Sequence, residues 1–279
     1  HYWLHIAPCI CTLEHSQRAC GISQCFPSAS VNHKVGPRFR LAPRRGYVKL
    51  RQGAVYVTSC RSVRSYIKEG VMQSVLTDQP ADEPVATLLL AHGAGAPMDS
   101  PFMEQLAAAL SACGVKVVRF EFPYMAARRE DGRKRPPNPM PVLEQCMGEL
   151  AAEISGPLFL GGKSMGARVA SQLAAEVGAA GFICFGYPFH PPGKPERTRI
   201  EHLQQIGCPG LIVQGTRDPF GKPEEVAGYP LDPALQLHWL ESGEHDFRPL
   251  KASGRTQQML IEEAAGVAAE FMAQALARS

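Results

Sequence analysis

The chain has 279 residues, 45% of them hydrophobic, with a formal net charge of +3. That is enough apolar material for a sizeable core. No run reaches the ~18 consecutive apolar residues that a membrane-crossing helix needs, so no membrane span is expected. The charge is uneven: residues 1–71 hold 11 Lys and Arg against 2 acidic residues, whereas the remainder holds 18 against 24.

The first segment, residues 1–71, is basic and contains Cys9, Cys11, Cys20, Cys25 and Cys60. Those spacings fit no zinc pattern of two paired ligands, so no metal site is expected. The basic run Lys34–Arg51 lacks interleaved aromatics and any nucleic-acid-binding module, so no nucleic-acid partner is expected. The apolar start is short and broken by histidines and Pro8, which argues against a signal peptide. All nine methionines lie at Met72 or later. The expectation is that residues 1–71 are disordered or non-native upstream sequence, with translation starting at Met72 and one domain over 72–279. Strand-like alternation in Val48–Val57 leaves room for an extra edge hairpin.

From Met72 strands and helices alternate. Ala86–Ala91 reads as a buried strand, followed by the small-residue loop His92-Gly93-Ala94-Gly95-Ala96-Pro97. Pro101–Cys113 has helical periodicity and Gly114 suits its end. Val115–Phe122 reads as a strand, and Pro123–Pro141 as a polar, proline-rich loop with Arg128, Arg129, Arg133, Lys134 and Arg135 against Glu130 and Asp131. Val142–Ile154 is helical, Pro157–Gly161 a strand, and Ser164–Val177 a helix. Gly181–Gly186, Gly210–Gln214 and Leu235–Leu240 are strands, and Thr256–Leu276 closes the chain as an amphipathic helix. This order predicts an α/β fold: a doubly wound, mostly parallel sheet of about six core strands with helices on both faces and no cap domain.

The strand Pro157–Gly161 runs into Gly162-Lys163-Ser164-Met165-Gly166 and then a helix. Gly-x-Ser-x-Gly between strand and helix is the pattern of a nucleophile elbow, a tight turn that lifts a serine hydroxyl above the sheet. A serine needs an imidazole to take its proton, and the imidazole needs a carboxylate to hold its tautomer. Asp218 follows the strand Gly210–Gln214 and His245 follows Leu235–Leu240. Both stand at carboxyl ends of strands, where open parallel sheets carry their sites. Ser164, Asp218 and His245 are the catalytic candidates, with Glu244 and Asp246 as weaker acids. An oxyanion hole needs two backbone N–H donors. Met165, directly after the serine, supplies one; Ala94, with Gly95 as neighbour, supplies the other. His92 is expected to brace that loop.

These motifs, with Phe120-Glu121-Phe122-Pro123-Tyr124 and Gly215-Thr216-Arg217-Asp218, carry a resemblance. From about Met72 to Leu276 the chain resembles the α/β-hydrolase superfamily. It is most similar to the small cap-less bacterial branch related to dienelactone-hydrolase-like proteins and to the hydrolase-like domain of an NSL-complex subunit and testis-expressed relatives. The resemblance implies a serine hydrolase acting on a small ester, thioester or related acyl substrate, without metal or organic cofactor. The alternative it carries is a hydrolase-fold binding or scaffolding module with little catalysis. Tyr124, Arg128, Arg129 and Arg168 are candidate substrate contacts, the arginines as a fork for an anionic group; Arg168 has the alternative of pairing with a neighbouring helix. Cytoplasmic location and a monomer or homodimer complete the expectation.

Overall fold

A computed structural model describes residues 60–68 and 71–278. The candidate strand Val48–Val57, the four cysteines between Cys9 and Cys25 and the run Lys34–Arg51 lie outside the described residues.

The elements follow in the order β1 (Cys60–Lys68), β2 (Val71–Gln79), β3 (Ala86–Ala91), α1 (Pro101–Ala112), β4 (Val115–Phe120), α2 (Pro123–Asp131) and α3 (Met140–Ala151). Then come β5 (Leu158–Lys163), α4 (Met165–Leu173), β6 (Gly181–Phe185), β7 (Gly210–Gly215), the single turn α5 (Pro223–Val226), β8 (Leu235–Leu240) and α6 (Gln257–Ala277). The strands form one eight-stranded sheet in the order β1-β2-β4-β3-β5-β6-β7-β8. Six of them, β3 to β8, are parallel to their neighbours among themselves, while β1 and β2 run antiparallel at one edge.

β3 is apolar throughout because it is covered on both faces, and its side chains alternate between two layers. Leu88 and Leu90 pack with Leu106 and Leu110 of α1 and Leu260 and Phe271 of α6. Leu89 and Ala91 pack with Met147 of α3 and Val169 of α4 on the opposite face. Each fully buried Leu contributes about 1.5–3 kcal/mol relative to exposure. With the helices confined to these faces, the carboxyl ends of the parallel strands are left open, and that edge carries the candidate site.

Two expectations change. The first strand lies upstream of the expected boundary at residue 72: β1 pairs with β2 from Cys60↔Gln79 to Lys68↔Val71. β2 in turn pairs with β4 from Val75↔Phe120 to Asp78↔Val117. Backbone pairing therefore ties residues 60–68 to the sheet, and the boundary moves upstream to Cys60 or before. A buried ion pair fastens the same edge. Arg119 of β4 is fully buried and donates to Asp78 of β2 through Nε (3.1 Å) and an Nη (2.6 Å) and to the Met98 carbonyl (2.7 Å).

The expected loop Pro123–Pro141 contains the nine-residue helix α2. Pro123 sits at its first position, where a missing N–H costs nothing. Met-Ala-Ala-Arg-Arg-Glu are good helix formers, and Gly132 ends the helix with φ of 74°. The high charge and the prolines that follow hid it.

Candidate active site

β5 delivers Ser164 into a conformation that non-glycine residues rarely adopt, with φ of 54° and ψ of −109°. Such strain costs on the order of 1–3 kcal/mol and persists only where the surroundings enforce it. Here the neighbours do so by size. A Cβ on Gly162 would collide with the Gly166 carbonyl carbon, and one on Gly166 would stand 2.7 Å from the carbonyl oxygens of Ala91 and His92. The strand end and the start of α4 can meet only because both residues are glycine. The Ser164 N–H donates to the Phe185 carbonyl of β6 (3.3 Å), which ties the turn to the sheet. Met165 is the first helical residue, so its amide has no acceptor within α4.

Asp218 follows β7 and His245 follows β8. A Cβ on Gly215 would collide with the Gly243 carbonyl, so the two loops run in direct contact. Their side chains meet: His245 Nδ1 lies 2.7 Å from Asp218 Oδ2. Asp218 is 0% exposed, and its other oxygen accepts from the Phe220 amide at 2.9 Å. His245 is 19% exposed, with its ring centroid 4.3 Å from that of Phe220. The carboxylate is therefore fixed from two sides, while the imidazole keeps an open edge. Neither Glu244 nor Asp246 takes the position on His245 Nδ1 that Asp218 holds.

A residue that the sequence reading passed over links serine and histidine. Lys163, immediately before Ser164, is buried and donates from Nζ to the His245 carbonyl (2.6 Å), with Asp246 Oδ1 at 3.5 Å. Burial pushes its pKa down to about 8, against the attraction of Asp246 and Asp218. The signal in the sequence was a lysine closing an otherwise apolar and glycine strand, a place where an ammonium needs a partner.

The loop after β3 crosses beside Ser164: a Cβ on Gly93 would lie 3.8 Å from Ser164 Cβ. His92 is fully buried, and burial holds its pKa down. Its Nε2 accepts from the Phe122 amide (3.1 Å), so Nδ1 carries the proton and donates to the Gly93 carbonyl (2.7 Å). Tyr124, expected as a substrate contact, is buried and donates from its hydroxyl to the Ala94 carbonyl (3.0 Å). It holds the loop. With both carbonyls tied back, Ala94 and Gly95 remain exposed.

The expected arginine fork is divided. Arg129 donates to both oxygens of Glu121 (2.9 and 2.5 Å) and both of Asp99 (3.0 and 2.8 Å), which uses four of its five N–H groups. The Glu121 and Asp99 hydrogen bonds raise its pKa further. These two carboxylates hold the Arg129 guanidinium in place. Arg128 lines a cleft of about 180 Å³ with Pro97, Glu121, Met125 and Arg129. Arg135 pairs with Asp131 at 2.6 Å, and Asp131, hydrogen-bonded first by Arg135, has its pKa lowered to about 2. Arg168 makes no ion pair among the described residues, and its Nε is buried without a partner. A larger concavity of about 360 Å³ lies between Cys208, Pro209, Gln236 and Phe271, at the amino ends of β7 and β8, on the edge away from Ser164.

Among the described residues no group of three or more His, Cys, Asp or Glu side chains is disposed to hold a metal, and no helix is long and apolar enough to cross a membrane. A family model described as an alpha/beta hydrolase domain matches residues 84–273. Solved structures share the fold at low identity. An alpha-beta serine hydrolase homologue from Coxiella burnetii is 21% identical, with a TM-score of 0.57 over 77% of this chain and 99% of its own. A serine hydrolase without a lid from Xanthomonas campestris is 19% identical, with a TM-score of 0.55 over 76% and 96%. A dienelactone hydrolase from Anabaena variabilis is 19% identical, with a TM-score of 0.59 over 77% and 97%.

Proposed function

The chain belongs to the alpha/beta hydrolase domain family, and from that premise we propose that it is a serine hydrolase cleaving a small carboxylic ester, thioester or related acyl substrate through Ser164, His245 and Asp218. The observation that carries this reading is the contact of 2.7 Å between His245 and a fully buried Asp218, beside a serine held at φ 54°.

In the reaction, Ser164 Oγ attacks the acyl carbon while His245 Nε2 takes its proton. Asp218 keeps the proton of Nδ1 in place and stabilises the imidazolium. The amides of Met165 and Ala94, with Gly95 as neighbour, receive the developing oxyanion. Tyr124 and His92 hold the Ala94 loop, and Lys163 holds the backbone of His245, so the parts are positioned before substrate arrives. Collapse of the tetrahedral adduct breaks the bond to the leaving group, which takes the proton from His245. A water deprotonated by the same histidine then releases the acid from the acyl-serine. The neighbour from Anabaena variabilis, a dienelactone hydrolase, supports a small acyl substrate, as does the absence of an inserted cap among the described residues. Among the described residues Cys113, Cys146, Cys184 and Cys208 form no disulfide, which supports a reducing, cytoplasmic setting.

A fluorophosphonate probe should label wild type and not Ser164→Ala. In a screen of short acyl esters and thioesters, Ser164→Ala and His245→Ala should each remove nearly all turnover, and the double variant should be little worse, because triad members act as a unit. Additive losses, or full activity in either single variant, would remove the assignment. Absence of both labelling and turnover in wild type would favour a binding or scaffolding module.

A further inference from the structure

The segment between β6 and β7 folds back onto α4 and leaves two arginines without counter-charges. Gly186 lies against the histidine: a Cβ there would be 3.3 Å from His245 Nδ1. The next residue, Tyr187, is fully buried and donates its hydroxyl to the Arg199 carbonyl (2.7 Å). Its ring centroid is 6.3 Å from that of His202. On the α4 side, Ser171 donates to the Arg168 carbonyl (3.1 Å) and, its proton so used, accepts from His202 Nε2 (2.9 Å). These bonds bring Arg199 toward Arg168, which leaves α4 about one helical turn after Ser164.

The charges register that proximity. Burial and then the Arg168 charge lower the pKa of Arg199, and the same two causes hold His202 down to about 4, so it is neutral at neutral pH. Arg197, exposed in the same segment, adds a third cation. Glu201, whose charge acts on His202, is exposed and forms no ion pair among the described residues. Three other arginines do find carboxylates: Arg119 with Asp78, Arg129 with Glu121 and Asp99, and Arg255 with Glu263. Among the described residues Arg168 and Arg199 form no ion pair; the Arg168 side chain reaches the Tyr187 hydroxyl, and its Nε is buried without a hydrogen-bond partner.

We propose that Arg168 and Arg199 form a subsite for an oxyanion, a carboxylate or phosphoryl group carried by the acyl substrate beside the bond that Ser164 attacks; the proposal rests on the hydrolase reading above. Two partly dry guanidinium groups repel each other, and an anion between them relieves both charges while accepting paired hydrogen bonds from each. His202, neutral and anchored on Ser171, adds no competing charge. Tyr187, which follows Gly186 beside His245, holds the Arg199 carbonyl and so links the triad to the segment that carries Arg199.

The test is calorimetric binding to the Ser164→Ala protein, which needs no turnover. Mono-4-nitrophenyl glutarate, anionic, is compared with 4-nitrophenyl pentanoate, neutral and equal in chain length. The anionic ester should bind about tenfold tighter, near 1.4 kcal/mol. Arg168→Gln and Arg199→Gln should each bring that ratio toward one, and added salt should lower it. Arg199→Lys should keep part of it. Displacement of the anionic ester by glutarate but not inorganic phosphate identifies a carboxylate site, and the converse a phosphoryl site. Displacement by neither overturns the subsite. Equal affinity for the two esters overturns it whether or not the variants fold, as does a ratio unchanged in both Gln variants. Failure of the hydrolase reading is seen separately, as absent fluorophosphonate labelling of Ser164 in wild type.

Discussion

Lys163 carries its charge where the fold scarcely hydrates it, one residue before Ser164. The unfolded chain holds that proton to about pH 10.5, whereas the folded chain gives it up from about pH 8. Between those values the unfolded state binds more protons, so this residue makes stability rise with pH across the window. At about 1.4 kcal/mol per unit the rise is on the order of 3 kcal/mol. Tyr124 and Cys184, whose pKa values burial raises, pull the other way as their unfolded forms ionise. They are present in both proteins, so the comparison of wild type with Lys163→Met by urea unfolding near pH 8 and pH 10 isolates the lysine. The variant should lack the rise; an identical pH dependence in both proteins would assign the ionisation elsewhere. The contact of Asp218 with His245 was legible in the sequence because each stands just beyond an apolar strand whose direction the alternation fixed. The partners of Arg129 and Tyr124, Asp99 and Glu121 for one and the Ala94 carbonyl for the other, were not legible because they come from other elements. Side chains that brace a site and side chains that touch its substrate have the same composition.

Elements buried on both faces announce themselves by continuous apolar runs, and β3, β5, β6 and β7 were read within a residue or two. α2 was not, since it is short and highly charged, with only Tyr124 and Met125 buried. β2 escaped for a related reason: it is a strand by pairing with β1, upstream of the expected boundary, and with β4, and its Asp78 reaches Arg119 of β4 across 41 residues of sequence. Arg119 is 0% and Asp78 2% exposed. Taking away one member of such a pair strands the other charge out of water, which costs about 3–5 kcal/mol. Asp78→Ala should therefore destabilise the domain by that amount in chemical denaturation. The change should be much smaller when Arg119→Met accompanies it, because an apolar pair of similar volume leaves no orphan charge. A single variant as stable as wild type would mean that solvent reaches Arg119.

At the scale of the whole molecule, the two apolar layers on either face of the sheet are complete from Val75 onward, and what lies before them is the edge. β1 covers the outer side of β2 by backbone pairing along its length, and β2 fills the gap between β1 and β4. A chain starting at Met72 keeps both layers and the buried Arg119–Asp78 pair, so it should still fold cooperatively. It leaves the outward N–H and C=O groups of β2 unpaired, however, and an open edge is a template for pairing with another copy. A chain starting at Cys60 retains the cover. The two should therefore differ in two measurements: the Met72 chain should melt lower, and its sedimentation should depend on concentration where that of the Cys60 chain does not. Equal melting temperatures and a monomer in both cases would reduce β1 to an ornament of the edge. Failure of the Cys60 chain to fold would show that residues 1–59 are needed by the sheet and would move the boundary further upstream.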